Sequence, residues 1–365
     1  MKRTVACSLA LLLACATTRA EAPAKPLRGA YLHLNRLVAG KAEAEGRAAV
    51  ARLLDRCRLA GVDAIMPFAN TSAGEALWPS RVAPATVVSG WDPLRVVKEE
   101  ARRRGMSFQP VLCTMISGHA RPEGVLAAHP EWALREPGGG PLGYISAASP
   151  GARAWLASLV EELVREADPD ALWFDYLRFP NQAVDLDPTG RADLDVALAA
   201  ASDAERPARA QRFREEALTG LARELSARAR ATKPGLTLGL YSWGPHVAAN
   251  HKVAQAWPAW VDEGLIDVVN VSGYCYRENY GDRYMDAFRD RLAGAVAINR
   301  SLKRPGVVTF ALGVRTSHGA VRDPREILDY RRAAAALGVD GYAYFTANTL
   351  DPYVDALAGE EAEGR

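Results

Sequence analysis

The sequence predicts an α/β protein built as a single-domain (β/α)8 TIM barrel, and three observations support this. From Leu27 onward, eight apolar, β-rich runs alternate with amphipathic helical patterns. Several of these runs are apolar almost throughout, as expected for a parallel sheet that is covered by helices. The segments that enter strands are short and several that leave strands are long, which is typical of a barrel with its functional loops on one face.

The N-terminus is interpreted as a lipoprotein signal peptide. Residues 1–4 (Met-Lys-Arg-Thr) form a short basic region. Residues 5–14 form an apolar run that is too short to span a bilayer as a helix. The run ends in Leu-Leu-Ala-Cys, which resembles a bacterial lipobox, so Cys15 is expected to carry the lipid. Ordinary signal cleavage near Ala20 or Ala22 is the alternative.

These signals divide the chain into four parts: a signal peptide (1–15), a tether (16–27), the barrel domain (28–358) and a tail (359–365). A lipid on Cys15 would anchor the protein to a membrane of the cell envelope, with the outer membrane, facing the periplasm, as the expected location. The alternative cleavage predicts a secreted protein.

The strands of the barrel are predicted at 29–35, 62–69, 106–113, 171–176, 236–242, 266–273, 306–313 and 339–346. Helices are predicted near 42–60, 92–104, 150–166, 207–232, 251–263, 283–302, 323–337 and 351–358. Asp92, Ser149 and Asp323 each precede a proline, which is a signal for a helix start. Glycines stand where helices should end, at Gly61, Gly105, Gly264 and Gly338.

The long segments after strands are 70–91, 114–149, 177–206 and 274–282. Segment 114–149 contains His119, His129 and Trp132, and we expect it to form a lid or one wall of a cleft.

Composition excludes several classes of function. The net charge is +2 and no run of lysine or arginine is long enough to support nucleic-acid binding, so no nucleic-acid partner is predicted. The six histidines lack the spacing of a metal site; His246 and His251 are the weak exception. No nucleotide or dinucleotide fingerprint occurs, and no cofactor is expected. Cys57, Cys113 and Cys275 are too widely spaced for a disulfide framework and are interpreted as buried thiols.

The stretch from 171 to 180 draws attention because it places Asp175 between Phe174 and Tyr176 in an apolar strand. Aspartate is a poor strand former and is costly to bury without a partner. One explanation is an ion pair with Arg178 or another base. The other is catalysis, because the active sites of parallel barrels lie at the carboxyl ends of the strands.

Aromatic and uncharged polar residues gather at or near the predicted strand ends. Aromatic faces stack on sugar rings, and amides and hydroxyls bind sugar hydroxyls, so this edge suggests a carbohydrate-sized ligand. The candidates are Asn35, Asn70, Trp78, Thr114, Trp132, Tyr241, Trp243, Tyr274, Tyr276, Tyr344 and Thr346.

Glycoside hydrolysis commonly needs two carboxyl groups. Asp175 is one candidate, but the predicted seventh strand ends in no acidic residue, so the second carboxyl must come from a loop. Glu75 is favoured and Glu278 is next; the other candidates are Asp185, Asp187 and Asp282.

Six stretches, in the right order, resemble glycosyl-hydrolase-like family ten. They are Arg28 to Leu32, Gly74 to Ser80 (Gly-Glu-Ala-Leu-Trp-Pro-Ser), Trp91 to Leu94 with Glu99 to Gly105, His129 to Trp132, Leu172 to Pro180 (Leu-Trp-Phe-Asp-Tyr-Leu-Arg-Phe-Pro), and Trp260 to Asp267 followed by Tyr274 and Tyr276. Many members carry tandem aspartates where this chain has Asp175 and Tyr176.

The resemblance implies an exported, lipid-anchored glycoside hydrolase that cleaves an amino-sugar polymer, with peptide-stripped peptidoglycan glycan strands as the expected substrate. Asp175 would be a catalytic carboxylate, and Glu75 or Glu278 the second one. Arg178 would hold Asp175 or bind an anionic lactyl group. The expected substrate contacts are Asn35, Asn70, Trp78, Arg178, Tyr241, Trp243, Tyr274, Tyr276 and Thr346. The alternative is a non-catalytic lipoprotein that binds cell-wall glycan on the same barrel.

Overall fold

The computed structural model describes residues 26–84, 90–243, 252–339 and 341–363. The predicted signal peptide with Cys15, most of the predicted tether, and His246 and His251 lie outside the described residues. Within the described ranges, no helix combines the length and the apolar character needed to cross a membrane.

Eight parallel strands form a closed barrel. They are β1 (Arg28–Leu32), β2 (Ala64–Pro67), β3 (Ser107–Phe108 and Val111–Cys113), β4 (Ala171–Asp175), β5 (Thr237–Ser242), β6 (Val268–Ser272), β7 (Val307–Gly313) and β8 (Tyr342–Phe345). Each strand pairs with the next along the chain, and β8 pairs with β1. The predicted (β/α)8 barrel is confirmed.

The third strand is in two pieces because Pro110 lies between them and has no N–H for the ladder. The first piece pairs with β2, and the second pairs with β4 and bridges Phe68 through Val111. Both pieces are therefore needed to close the sheet.

Eight helices follow the strands in turn: α1 (Glu43–Leu59), α2 (Pro93–Arg103), α3 (Pro150–Ala167), α4 (Arg206–Thr232), α5 (Trp257–Asp262), α6 (Tyr284–Ser301), α7 (Pro324–Ala336) and α8 (Val354–Glu363). The side chains of Asp92, Ser149 and Asp323 accept backbone N–H groups at the starts of α2, α3 and α7, which confirms the predicted caps. Helix α8 extends beyond residue 358, where the sequence placed the end of the barrel domain.

The long segments at the carboxyl end of the barrel contain structure that the sequence did not predict. Segment 114–149 carries a three-stranded antiparallel sheet (Ile116–His119, Ala133–Arg135 and Pro141–Ile145), which we call the insert sheet. Segment 177–206 carries the helix Pro188–Leu198. Shorter elements lie at Leu34–Val38, Gly124–Ala128, Pro130–Trp132, Arg277–Tyr280, Gly281–Arg283, Ala347–Thr349 and Asp351–Tyr353, with a small hairpin at Arg315–Thr316 and Gly319–Ala320.

Asp187 connects these two segments. Its buried carboxylate accepts the Ser146 hydroxyl at 2.5 Å and the backbone N–H groups of Thr189 and Gly190 at 3.2 Å each. It caps the helix Pro188–Leu198 and ties that helix to the insert sheet. Asp187 therefore has a structural role that accounts for its burial.

The apolar core has two layers, one inside the barrel and one between the strands and the helices. Trp173 is the largest side chain of the inner layer, and its indole N–H donates to Gln109 at 2.8 Å. Its register partner on β5 is Gly239, on which a Cβ atom would overlap the Trp173 ring. The absence of a side chain at Gly239 therefore makes room for the indole.

We expect Gly239→Ala to lower the free energy of unfolding by about 1–3 kcal/mol, because the added methyl group forces Trp173 out of its packed position. Chemical denaturation at neutral pH measures the change. Gly294→Ala is the matched control: Gly294 is exposed on α6 with open space around it, and alanine there should be neutral or stabilising by about 0.5–1 kcal/mol. Equal stability of the Gly239→Ala variant and the parent would contradict this packing.

Candidate functional site

Asp175 is the last residue of β4 and lies at the carboxyl end of the barrel, which we call the mouth. Its register partner Cys113 belongs to the inner apolar layer, so the Asp175 side chain also points into the barrel. The residue is only 8% exposed. Its Oδ1 accepts the backbone N–H of Tyr176 at 2.7 Å.

The carboxyl group of Asp175 has a raised pKa. Burial raises the pKa from 3.8 to about 6, while the positive charge of Arg178 and the hydrogen bond from the Tyr176 N–H act in the opposite direction. No carboxylate of the described residues is among the groups that shift this pKa. Near neutral pH the group is present in both protonated and ionised forms, so it can act as a proton donor.

Arg178 does not form the ion pair with Asp175 that the sequence suggested as an explanation. Its guanidinium carbon lies 5.0 Å from the centre of the Tyr176 ring and 5.3 Å from that of Trp243, and Nη1 donates to the Phe179 carbonyl at 3.1 Å. Its Nε is buried and has no hydrogen-bond partner among the described residues. The cation is therefore held by two aromatic faces and one carbonyl, and no carboxylate of the described residues forms an ion pair with it.

Six rings form a continuous wall along one side of the mouth, which we call the aromatic wall: Tyr31, His33, Phe68, Tyr241, Tyr274 and Phe345. His33 stacks on Phe68 with ring centres 4.9 Å apart and an angle of 13°. Phe345 contacts His33 at 5.5 Å and Tyr274 at 5.6 Å, and Tyr274 lies 6.2 Å from Tyr241. Tyr31 and Phe68 are buried, and the four partly exposed rings offer flat apolar faces of the kind on which sugar rings stack.

The titratable members of the wall are neutral at pH 7. Burial, and then the charge of Arg36, lower the pKa of His33 to about 4. Burial raises the pKa of Tyr241 to about 12. Asp175 and Arg178 therefore lie next to a largely neutral surface.

The insert sheet supplies rings on the side of Tyr176. The imidazole of His119 lies 6.1 Å from the ring of Tyr144 and 6.3 Å from that of Tyr176, edge to face in both cases. Its Nδ1 lies 3.4 Å from the Tyr144 hydroxyl. The segment predicted to be a lid or a wall thus contributes side chains close to Asp175.

The two candidates for a second carboxylate are both engaged with neighbouring residues. Glu75 is half-buried in the turn after β2, where its Oε2 accepts the Thr71 hydroxyl at 3.3 Å. Glu278 forms an ion pair with Arg322 at 3.3 Å, and its own backbone N–H and then Arg322 hold its pKa below the usual range. A catalytic role for either acid stays a prediction.

Of the predicted substrate contacts near β1 and β2, only Asn35 keeps a partly exposed side chain. Asn35 lies in the short helix Leu34–Val38 that follows β1. The amide of Asn70 exchanges hydrogen bonds with the backbone of Cys113, at 2.8 and 3.0 Å, and so fixes β2 to β3. Trp78 is 2% exposed and packs in the outer layer of the core.

Tyr276 and Thr346 are also buried at the mouth. The Tyr276 hydroxyl bonds that of Thr316 at 3.1 Å, and the ring packs against Gly313 and Gly319. The side chain of Thr346 caps the turn Ala347–Thr349. Tyr241, Tyr274 and Trp243 are only partly buried, so among the predicted stacking residues they are the ones that a ligand can reach.

Sequence analysis did not select Tyr31, His33, Phe68 or Phe345. A signal for them was present, because alternate residues of a strand share a face. Phe68 follows Met66 by two positions, and Phe345 follows Ala343 in the same way; both Met66 and Ala343 belong to the inner layer. The face that points inward on each strand depends on register, which the sequence does not reveal.

The chain is similar to known proteins in sequence and in fold. The sequence model of one family, Glycosyl hydrolase-like 10, matches residues 26–299. A protein of Escherichia coli strain K12 named glycosyl hydrolase DigH is 24% identical over 300 residues, which cover 71% of this chain and 65% of that protein. The matched region thus spans slightly less than two thirds of the relative.

Solved structures share the fold at low sequence identity. Alpha-L-fucosidase isoenzyme 2 from Paenibacillus thiaminolyticus superposes with a TM-score of 0.64 at 14% identity, over 93% of this chain and 50% of that one. A beta-galactosidase from the psychrophilic Marinomonas ef1 superposes with a TM-score of 0.63 at 10% identity, over 92% of this chain and 58% of that one. These likenesses agree with the barrel described above.

We expect Asp175→Asn to raise the free energy of unfolding at pH 7.5 by as much as ~3 kcal/mol, which is what a rise in pKa from 3.8 to about 6 corresponds to. A raised folded-state pKa means that the protonated carboxyl stabilises the fold below about pH 4. This contribution is lost as the pH rises through about 6. The difference in the free energy of unfolding between variant and parent, measured by urea denaturation, should therefore be smallest at pH 4 and largest at pH 7.5.

Asp168→Asn is the control with the opposite sign. Hydrogen bonds from Lys233 and then Lys98 lower the pKa of Asp168 to about 2, and asparagine suits its left-handed backbone. This variant should be less stable than the parent at neutral pH, with the difference shrinking as the pH falls through about 2. If both variants change stability in the same direction, the assignment for Asp175 is wrong.

Proposed function

The chain belongs to the Glycosyl hydrolase-like 10 family, and from this premise we propose that it is a glycoside hydrolase that cleaves an amino-sugar polymer. We infer peptide-stripped peptidoglycan glycan strands as the substrate and Asp175 as the general acid. The observation that carries the proposal is the raised pKa of the buried Asp175 at the mouth of the barrel. A carboxyl group with a raised pKa stays partly protonated near neutral pH, and departure of a glycosidic oxygen needs such a proton donor.

The aromatic wall supports a sugar polymer as the ligand. Tyr241 and Tyr274 are partly exposed and lie next to each other, 6.2 Å apart between ring centres, beside the strand end that carries Asp175. Their rings would stack on the apolar faces of one or more sugar units of the polymer. A neutral, aromatic surface of this kind fits a polysaccharide better than a highly charged substrate.

Arg178 supports an anionic substituent on that polymer. The lactyl groups of muramic acid units become free carboxylates when the peptides are removed, and a guanidinium that no carboxylate of the described residues neutralises would bind one of them. The proposal includes export, with lipidation at Cys15 and anchorage in the outer membrane facing the periplasm. Under this proposal the enzyme meets its substrate in the cell wall.

We expect the purified protein to release soluble fragments from peptide-stripped peptidoglycan glycans, and Asp175→Asn to reduce the rate at least about 100-fold, because the proton donor is lost. Chromatography of the released sugars measures the rate, and pelleting with insoluble glycan measures binding. Asp203→Asn, an exposed residue of the 177–206 segment, should match the parent and serves as the control.

The same assay decides against the proposal in two ways. If parent and Asp175→Asn both pellet with glycan and neither releases fragments, the protein is a non-catalytic cell-wall glycan-binding lipoprotein. If Asp175→Asn keeps the parental rate, the reaction does not use this carboxyl group.

Arg178→Met should change both the pH dependence and the substrate preference. The positive charge of Arg178 lowers the pKa of Asp175, so its removal raises that pKa and moves the alkaline limb of kcat/KM, expected near pH 6, to higher pH. The KM for glycan with free lactyl carboxylates should rise about tenfold or more, and the KM for the same glycan after carboxyl reduction should change little.

Arg178→Lys is the matched variant that keeps the charge and loses the planar fork. The alkaline limb of its kcat/KM profile should stay near that of the parent, while its preference for the anionic glycan weakens. An unchanged limb in Arg178→Met would show that Arg178 does not act on the catalytic acid.

A further inference from the structure

Two residues at the mouth have backbone conformations that favour glycine although neither is glycine. His119 has a φ of 91° and Tyr176 has a φ of 54°. Residues other than glycine adopt such positive φ values at a cost in free energy. Residues of this kind concentrate at functional sites. His119 belongs to the insert sheet and Tyr176 follows β4, so two separate segments are strained at one place.

The strained backbones bring two side chains together beside Asp175. The His119 ring stands edge-on to the Tyr176 ring with centres 6.3 Å apart. Tyr176 directly follows Asp175 and donates its backbone N–H to the carboxylate, and its ring also lies 5.0 Å from the guanidinium carbon of Arg178. His119 therefore contacts the ring of the residue that directly follows the proposed acid.

The backbone around His119 is fitted closely by glycines on both sides. A Cβ atom on Gly118 would overlap the carbonyl of Arg121, and one on Gly143, the register partner of His119, would overlap the His119 amide. Glycine is thus used where space or conformation demands it, yet position 119 carries an imidazole. Because a φ of 91° suits glycine better, the presence of histidine at this position must be explained by what its side chain does.

Packing does not account for it, because the His119 side chain is exposed. Its Nδ1 contacts the Tyr144 hydroxyl at 3.4 Å, which is a long and weak hydrogen bond. Its Nε2 makes no hydrogen bond to any residue within the described ranges. The exposed imidazole thus lies beside the rings of Tyr144 and Tyr176, and its Nε2 can bond to a ligand.

We propose that His119 is a substrate-binding residue whose Nε2 hydrogen-bonds a sugar hydroxyl next to the bond that faces Asp175. The inference rests on the proposed glycosidase function and deepens it, since it assigns a sugar contact to the insert sheet opposite the aromatic wall. Together the two sides would hold a sugar by stacking on one side and by a hydrogen bond on the other.

The test compares His119→Gly and His119→Asn with the parent. Glycine suits a φ of 91°, so His119→Gly should keep or raise the melting temperature while it loses the sugar contact. We expect KM for peptide-stripped glycan to rise about tenfold with a smaller change in kcat, as for loss of one neutral hydrogen bond. Asparagine also tolerates a positive φ, and the KM of His119→Asn should lie between those of the parent and His119→Gly. His129→Asn is the control and should match the parent, because His129 is a half-buried histidine of the same 114–149 segment that stacks on Trp132.

Binding of soluble, peptide-free glycan oligosaccharides, measured by calorimetry in the Asp175→Asn background, separates this inference from the proposed function. A tenfold loss of affinity in the His119→Gly double variant supports the role of His119 even if the parent shows no turnover. Parental affinity and KM in His119→Gly would overturn the inference while leaving the hydrolase intact. A fall in the melting temperature of His119→Gly would also overturn it, because the imidazole would then be a packing residue. Absence of any glycan binding by the parent would reject both.

Discussion

Burial of the Asp175 carboxyl group is the constraint on which the site depends. The group points inward at the end of β4, where the barrel wall removes it from water and raises its pKa to about 6. The Tyr176 N–H and the charge of Arg178 limit this rise without neutralising the group. A direct ion pair would have kept the carboxyl ionised, so the separation of Arg178 from Asp175 is as important as its presence.

The aromatic wall lies beside the acid, and its partly exposed rings form a surface that a ligand can reach. Tyr31 and Tyr241 lie inside the barrel near Asp175, and their wall continues through Tyr274, Phe345, His33 and Phe68. Replacing one of these rings would change both the dielectric surroundings of the carboxyl and the area for stacking. Acid strength and sugar binding are therefore not independent properties of this mouth.

The sequence predicted the barrel because its signals are local: helix caps at Asp92, Ser149 and Asp323, and apolar strands at regular intervals. It predicted less of the mouth, because exposure there depends on contacts distant in sequence. Trp78 and Tyr276 both lie in segments that follow strands, but Trp78 is buried in the core and Tyr276 is buried by the Arg315–Ala320 hairpin. The insert sheet and the helix Pro188–Leu198 depend on Asp187, whose partner Ser146 is 41 residues away.

Arg178 links recognition of charge to the state of the acid. Its positive charge stabilises the ionised form of Asp175 in the free protein. If an anionic group of the substrate binds Arg178, as proposed, this stabilisation is partly cancelled and the bound anion adds a charge of the opposite sign. Both effects raise the pKa of Asp175, so an anionic glycan favours the protonated acid that its own cleavage needs. By linkage, protonation of Asp175 must strengthen binding of that glycan to the same extent.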